Sequence, residues 1–173
     1  MRESKPAEWT WAEAAPGLWS LALGETDPFS PVERFAAPRM AALRSLPTAA
    51  RPDVADDLHI ERAGQRLVIS HPLAPDEAIG GLGLQFFKLN QRGRTRYLRV
   101  NSDPRQDTGE SHAPVPFYVS SRGYGLFVDT TRIVTVCCGS VVRRREEIAV
   151  NDRNADRGWR ATPFSNRLEI VLP

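Results

Sequence analysis

The sequence predicts an all-β domain, either a sandwich or a barrel. Fourteen prolines and twelve glycines in 173 residues favour many turns and few long helices. From residue 58 onward, short apolar segments bounded by turn residues recur at spacings of about 8 to 12 residues, which is typical of antiparallel β-domains. No strand–helix–strand alternation is visible, which argues against a parallel, doubly wound sheet. We therefore expect at most one or two short helices.

The first 57 residues are predicted to be an irregular segment that joins the β-domain. A first strand is expected at 18–23. Apolar residues at helical spacing in 38–46 indicate a short helix, which Pro47 would end because proline cannot continue a helix. The stretch 48–57 is rich in Ala, Pro, Arg and Asp and is expected to form an exposed loop.

Residues 58–173 are predicted to form the β-domain itself. It begins with a hairpin of strands 58–62 and 65–71. A strand at 79–87 is interrupted by glycines, which indicate a bulge or a close backbone contact. The remaining strands are expected at 95–101, 116–120, 124–129, 133–138, 148–150 and 168–172.

Residues 116–129 have the pattern of a tight hairpin. Gly123 can supply the positive φ that such a turn needs. In the first strand, Phe117 and Val119 are expected to be buried on one face. In the return strand, the alternating side chains are Tyr124, Leu126 and Val128.

Charge and terminal composition argue against several partner classes. Lys and Arg number 23 against 21 Asp and Glu, for a net charge of +2, whereas nucleic-acid-binding domains usually carry a strong basic excess. The N-terminal residues contain no apolar stretch typical of a signal peptide. No segment approaches the roughly 18 apolar residues that a membrane span needs. These features predict a cytoplasmic protein without a nucleic-acid or membrane partner.

Familiar catalytic and metal-binding motifs are absent from the sequence. His59, His71 and His112 have spacings that match no compact metal site, so neither a metal nor a cofactor is expected. His71 precedes a proline at a strand end and is predicted to be a surface group. Cys137 and Cys138 are adjacent, so they point to opposite faces of a strand. We expect two reduced thiols, at least one of them in the core.

Four ordered motifs carry a family resemblance. Residues 81–86 read GLGLQF, 89–94 read LNQRGR, 101–104 read NSDP and 114–129 read PVPFYVSSRGYGLFVD. Together they resemble the N-terminal domain of family 31 glycoside hydrolases, which shows a YGLGE strand, an N-x-R-G turn, an N-x-D element and a P-F-Y-x-S-x-x-G-Y-G-x-F-x-D hairpin. The segment that carries the resemblance, residues 81–139, covers about a third of the chain.

The resemblance implies a galactose-mutarotase-like antiparallel β-sandwich at 58–173, which would precede a catalytic (β/α)8 barrel in the same polypeptide. Family members are retaining α-glycosidases whose nucleophile and general acid/base are two barrel aspartates. The chain would therefore hold no catalytic residue, although the parent protein would be a glycoside hydrolase. Its partners would be an α-glycoside carbohydrate and that barrel.

The resemblance also points to one candidate substrate-binding loop. In the family, this domain lends a loop to the rim of the active site, and in this chain we expect it to be the loop before the Pro-Phe-Tyr hairpin. Here that loop contains four polar residues, Asp107, Glu110, Ser111 and His112. Such side chains read sugar hydroxyls, and loops between strands often carry function. Gln85 replaces the glutamate usual in the family, so the sugar need not be the usual one.

Two other classes of function stay open. A free-standing carbohydrate-binding sandwich would need an exposed aromatic platform, for which the tryptophans at positions 9, 11, 19 and 159 are the candidates. Tryptophans, however, are more often core or domain-interface residues. An interaction module would instead expose a large apolar patch that drives self-association.

Overall fold

A computed structural model describes residues 9–24, 45, 47–85, 88–100, 108–140 and 164–173. These residues form eleven strands and one 3₁₀ turn. The chain divides into two compact units, the first made of residues 1–53 and 129–131 and the second of 54–128 and 132–173. Within the described residues no helix is long and apolar enough to cross a membrane. The predicted boundary between residues 57 and 58 stays a prediction.

The first unit contains a hairpin of β1 (Ala12–Ala15) and β2 (Leu18–Ser20). Gly17 in its turn has a φ of 70°. Strand β2 confirms part of the strand expected at 18–23, whereas its partner β1 was not expected. The helix expected over 38–46 lies outside the described residues, apart from Ser45 in a turn. Asp53–Ala55 forms the 3₁₀ turn.

A six-stranded sheet in the second unit has the order β3-β4-β11-β10-β6-β7. Its neighbouring strands are antiparallel, except for the parallel pair β6–β7. The predicted hairpin at 58–71 is confirmed as β3 and β4. The strands are β3 (His59–Ala63), β4 (Arg66–Pro72), β6 (Arg94–Val100), β7 (Glu110–Ser111), β10 (Thr135–Ser140) and β11 (Phe164–Leu172).

A three-stranded antiparallel sheet has the order β5-β8-β9, with β5 (Ile79–Gly81), β8 (Phe117–Ser120) and β9 (Gly125–Phe127). Strands β8 and β9 are the predicted hairpin, and Gly123 in its turn has the expected positive φ, 84°. The two sheets are in contact, because His71 of β4 reaches Tyr118 of β8. The second unit is therefore an all-β sandwich, as predicted.

The core consists of the inward side chains of the long central strands. Val136, Leu168 and Ile170 are almost fully buried. Cross-strand pairing places Val136 opposite Ile170. Burying one such side chain contributes about 1.5–3 kcal/mol. The strand expected at 148–150 lies outside the described residues.

The predicted orientation of β8 is wrong. Phe117 and Val119 face outward and are exposed, whereas Tyr118 and Ser120 are buried. The reason is that Tyr118 and Ser120 donate hydrogen bonds inside the domain, and burial of a polar group costs little once it is paired. A simple rule of apolar residues inside fails where the interior offers polar partners.

The strand expected at 79–87 ends at Gly81. The backbone φ is 106° at Gly81, 64° at Leu82 and 90° at Gly83. These successive positive φ values end the strand. The expected close backbone contact is confirmed. A Cβ on Gly81 would lie 2.7 Å from the carbonyl oxygen of Phe117, and one on Gly83 would overlap that of Ala113.

Candidate functional site

The structure describes three of the four residues of the predicted substrate-binding loop. Asp107 lies outside the described residues. Glu110 and Ser111 form the short strand β7 instead of an open loop. Ser111 is buried, and its hydroxyl donates to the carbonyl of Leu84 over 3.2 Å. His112 is exposed.

Glu110 is held by its neighbours. One carboxylate oxygen accepts a hydrogen bond from Arg99 Nε, and the other accepts one from Thr108 Oγ1 at 3.1 Å. Because Arg99 is exposed, this ion pair contributes at most about 1 kcal/mol to stability. Among the described loop residues, His112 therefore presents the most accessible polar side chain. The predicted role of the loop in substrate binding stays a prediction.

Beneath the hairpin lies a buried polar group that the sequence analysis did not identify. Strand β4 contributes His71, the segment before β5 contributes Glu77, and β8 contributes Tyr118 and Ser120 from its inward face. Tyr124 joins from the residue just before β9. We refer to these five residues as the tyrosine cluster.

His71 was predicted to lie at the surface, but it is 0% exposed. Its Nδ1 lies 2.8 Å from the carbonyl of Pro72, which can only accept, so Nδ1 carries the hydrogen. Nε2 then accepts the hydroxyl hydrogen of Tyr118 at 2.6 Å. Burial lowers the pKa of His71, and the charge of Arg167 adds to the effect. The imidazole is therefore neutral and both ring nitrogens are paired.

Glu77 is a buried carboxylate with three donors. Oε1 accepts from Ser120 Oγ at 2.5 Å and from Tyr124 OH at 2.7 Å. Oε2 accepts from the Ala74 amide at 2.8 Å. Burial opposes ionisation, but these hydrogen bonds outweigh it, and the pKa of Glu77 lies below its ordinary value. The group is therefore charged at neutral pH.

The two tyrosines stay protonated and act as donors. Burial raises the pKa of Tyr118, and burial followed by the bond to Glu77 raises the pKa of Tyr124. Their rings meet edge to face, with centroids 6.4 Å apart. With these donors engaged, the cluster joins the two sheets. The pattern Phe-Tyr-Val-Ser at 117–120 was the missed signal, because Tyr and Ser alternate with the apolar pair.

A second buried pair fixes the turn before β6. Arg96 is buried, and its Nε donates to Gln91 Oε1 at 2.6 Å. The Gln91 side chain in turn donates to the carbonyls of Lys88 and Leu89. Its backbone amide bonds to the Ile79 carbonyl over 2.7 Å. These contacts tie the N-x-R-G turn to β5 and β6, so the motif has a structural use here.

The candidate tryptophans lie in the first unit or outside the described residues. Trp9 is exposed, and the guanidinium carbon of Arg51 lies 6.0 Å from the ring centroid of Trp11. Trp19 is half-buried, with an indole nitrogen that has no hydrogen-bond partner. Trp159 falls outside the described residues. A sugar platform formed by these rings stays a prediction.

Neither cysteine chemistry nor a metal site is visible in the described part of the chain. Cys137 and Cys138 are both free and buried, which confirms the prediction of two thiols with at least one in the core. Burial, followed by the neighbouring Cys137, raises the pKa of Cys138 to about 12. No group of three or more His, Cys, Asp or Glu among the described residues could hold a metal ion.

Comparison with known proteins identifies the family. Residues 38–136 match the family described as the glycosyl hydrolase 31 N-terminal galactose mutarotase-like domain. The match covers more than half of the chain, so this chain belongs to that family. The resemblance drawn from residues 81–139 is thereby confirmed.

Individual relatives are much longer than this chain. The α-xylosidase XylQ of Lactiplantibacillus pentosus is 37% identical over 65 residues, which are 38% of this chain and 8% of that protein. Among solved structures, a Flavobacterium johnsoniae GH31 dextranase complexed with glucose is 20% identical to this chain, with a TM-score of 0.45. That match covers 65% of this chain and 11% of the dextranase chain. The cycloalternan-forming enzyme from Listeria monocytogenes is 20% identical to this chain, with a TM-score of 0.42. That match covers 62% of this chain and 8% of the enzyme chain. The chain spans about a tenth of the length of these relatives.

Proposed function

We propose that this chain is the non-catalytic N-terminal domain of a retaining α-glycosidase and supports a catalytic (β/α)8 barrel in the same polypeptide. The observation that carries the proposal is the family match over residues 38–136, because the family is described as an N-terminal domain. The α-xylosidase relative and the small fraction of it that the chain covers are consistent with this role. In this proposal residues 58–173 are the sandwich and 1–57 the segment that joins it.

Two carboxylates of the second unit support a scaffold role. Retaining hydrolysis needs two carboxyl groups about 5–5.5 Å apart that face the glycosidic bond and can exchange protons. Glu77 is buried and accepts three hydrogen bonds. Glu110 is engaged by Arg99 and Thr108. Both groups are committed to holding the fold, so we assign catalysis to aspartates of the barrel.

We also propose that the loop at 107–112 lies at the rim of the active site and contacts the α-glycoside. Exposure of His112 supports this part of the proposal. Ser111 and Glu110 would shape the loop through the carbonyl of Leu84 and through Arg99. Asp107 stays a candidate on the sequence alone.

Activity of the purified 173-residue chain tests the scaffold role. We expect no turnover of aryl α-glycosides, because the chain would hold no nucleophile. Measurable hydrolysis that disappears in the variant Asp107→Asn would overturn the proposal. The DNA downstream of codon 173 provides a second test, since it should continue in frame into a barrel with two suitably placed aspartates.

Titration with oligosaccharides separates the proposal from a free-standing binding module. A scaffold domain should give no saturable heat or tryptophan fluorescence change at millimolar sugar. A saturable signal that the variant Trp9→Ala abolishes would favour the binding module, because Trp9 is an exposed candidate for the platform.

A further inference from the structure

The outward face of the three-stranded sheet carries only apolar side chains and glycine. Phe117 is 41% exposed, Val119 47% and Phe127 44%. Gly80 belongs to the same face, because a Cβ built on it would lie 3.6 Å from a methyl of Val119. Gly125 lies opposite Val119 in the register of β8 and β9. We refer to these five residues as the outer face.

The outer face is held in place from below. Phe117 and Phe127 are directly paired across the strands. The ring of Phe117 lies over Gly125, 3.0 Å from the position a Cβ would occupy. The next residue, Tyr118, is fixed to His71 on the opposite side of the sheet. A rigid surface loses little entropy on binding, which favours a preformed docking site.

Its chemistry selects a protein partner. A sugar site needs polar groups placed to meet hydroxyls, and the outward positions of β5, β8 and β9 provide none. The three exposed side chains leave on the order of 250 Å² of apolar surface in water. Aromatic side chains without a charged neighbour are typical of the buried centre of a protein interface.

The area also distinguishes between possible occupants. A stable complex of separate chains buries about 800 Å² per partner, roughly three times the outer face. A partner in the same polypeptide needs less, because tethering gives it a millimolar effective concentration. In relatives such as the α-xylosidase, more than nine tenths of the polypeptide lies outside the matched segment. An intramolecular partner therefore fits the outer face better than a second copy does.

We propose that the catalytic part of a family 31 enzyme docks on the outer face, with Phe117 and Phe127 as its aromatic anchors. The inference rests on the proposed function and adds the surface through which the domain would support the barrel. Anchors of this kind cluster at the centre of interfaces and carry most of the binding energy.

Hydroxyl-radical labelling tests the proposal without any variant. The 173-residue chain is compared with the polypeptide that continues past residue 173 through the catalytic part. We expect Phe117 and Phe127 to be labelled in the shorter chain and protected about fivefold or more in the longer one, as burial at an interface core requires. Ile133, which is 56% exposed and outside the outer face, serves as the control and should be labelled equally in both.

Equal labelling of the two phenylalanines in both polypeptides would overturn the docking surface and leave the domain role intact. A downstream sequence without a catalytic part would overturn the proposed function and this inference together. The two failures are thus distinguishable.

A double variant, Phe117→Ser with Phe127→Ser, separates docking from folding. Its Tm should fall further below wild type in the longer polypeptide than in the 173-residue chain, where both side chains are already partly in water. The matched control Ile133→Ser should leave both Tm values near wild type. An equal fall of the double variant in both polypeptides would assign the phenylalanines to the fold and overturn the docking role.

Discussion

At the scale of single residues, His71 and Glu77 show how burial and hydrogen bonding act on charge in opposite ways. Burial lowers the pKa of His71 and keeps the ring neutral. Donors from Ser120, Tyr124 and Ala74 outweigh burial at Glu77 and keep it ionised. Each shift has a consequence for stability because protonation is linked to folding.

The variant His71→Gln should flatten the acid limb of the stability profile. The folded pKa of His71 lies below the unfolded value of 6.5, so the unfolded state binds the proton more tightly. Its contribution is thus present above pH 6.5 and is lost as the pH falls below that value. The free energy of unfolding, measured with urea between pH 7 and 5, should fall with falling pH in wild type and should fall less in the variant.

His59, an exposed histidine on β3, provides the control for that experiment. His59→Gln should retain the wild-type slope, since His59 lies at the surface. A slope that survives in His71→Gln would show that another group is responsible.

Glu77→Gln should destabilise the domain at neutral pH by about 1–3 kcal/mol, because the charged acceptor of three hydrogen bonds is lost. The folded pKa is depressed, so the stability it contributes is present above the unfolded value of 4.5 and declines as the pH falls through the folded value. The difference in unfolding free energy between wild type and variant, measured by chemical denaturation, should therefore narrow below pH 4.5.

Glu61→Gln is the matched control, since Glu61 is exposed and surface substitutions usually stay within about 0.5 kcal/mol. If the difference in unfolding free energy between wild type and Glu77→Gln did not change with pH, that result would contradict the conclusion that Glu77 is ionised and hydrogen-bonded.

At the scale of elements, the segment after β5 is determined by backbone contact. The positive φ values at 81–83 bring this segment against residues 113–117. There the Leu82 amide donates to the Phe117 carbonyl at 2.7 Å, and the Leu84 amide donates to the Ala113 carbonyl at 3.2 Å. Through Ser111, the same segment also supports the candidate loop.

Gly83→Ala should destabilise the domain by about 2 kcal/mol or more, because the new methyl would overlap the Ala113 carbonyl in a strained backbone conformation. Gly64→Ala is the matched control. It has a similar positive φ and nothing within 4 Å, so only the backbone strain of about 1 kcal/mol remains. Equal losses in thermal unfolding would show that the contact at Gly83 is unimportant.

At the scale of the whole molecule, the candidate loop and the outer face are the two surfaces that we propose for contact with a larger enzyme. His112 is exposed in the first, and Phe117 and Phe127 in the second. The tyrosine cluster lies beneath β8 and couples the hairpin to the six-stranded sheet. A single domain could thus dock on its partner and still present a loop to substrate.

In the complete enzyme, His112→Ala should raise the KM for an α-glycoside about threefold to tenfold with little change in Tm, because it removes one exposed polar contact. His59→Ala, which replaces an exposed histidine on β3, should change neither quantity. Steady-state kinetics and thermal unfolding together check this, and an unchanged KM would remove His112 from the rim.

Much of the fold could be predicted because its signals are local. Turn residues and alternating apolar residues located the hairpins at 58–71 and 116–129. The adjacent cysteines were correctly expected to be packed thiols. By contrast, β7 was missed because two residues in parallel pairing with β6 carry no periodic pattern.

By itself the sequence determined the all-β class, the family and the positive-φ turn at Gly123, since each depends on the order of residue types along the chain. Only the tertiary structure decided that Tyr118 and Ser120 point inward, that His71 is buried and that Ser111 is engaged with Leu84. The physical reason is that a buried polar side chain needs a hydrogen-bond partner, and the partners of Tyr118, Ser120 and Ser111 are distant in sequence. His71 and Tyr118 are 47 residues apart, so folding alone brings them together.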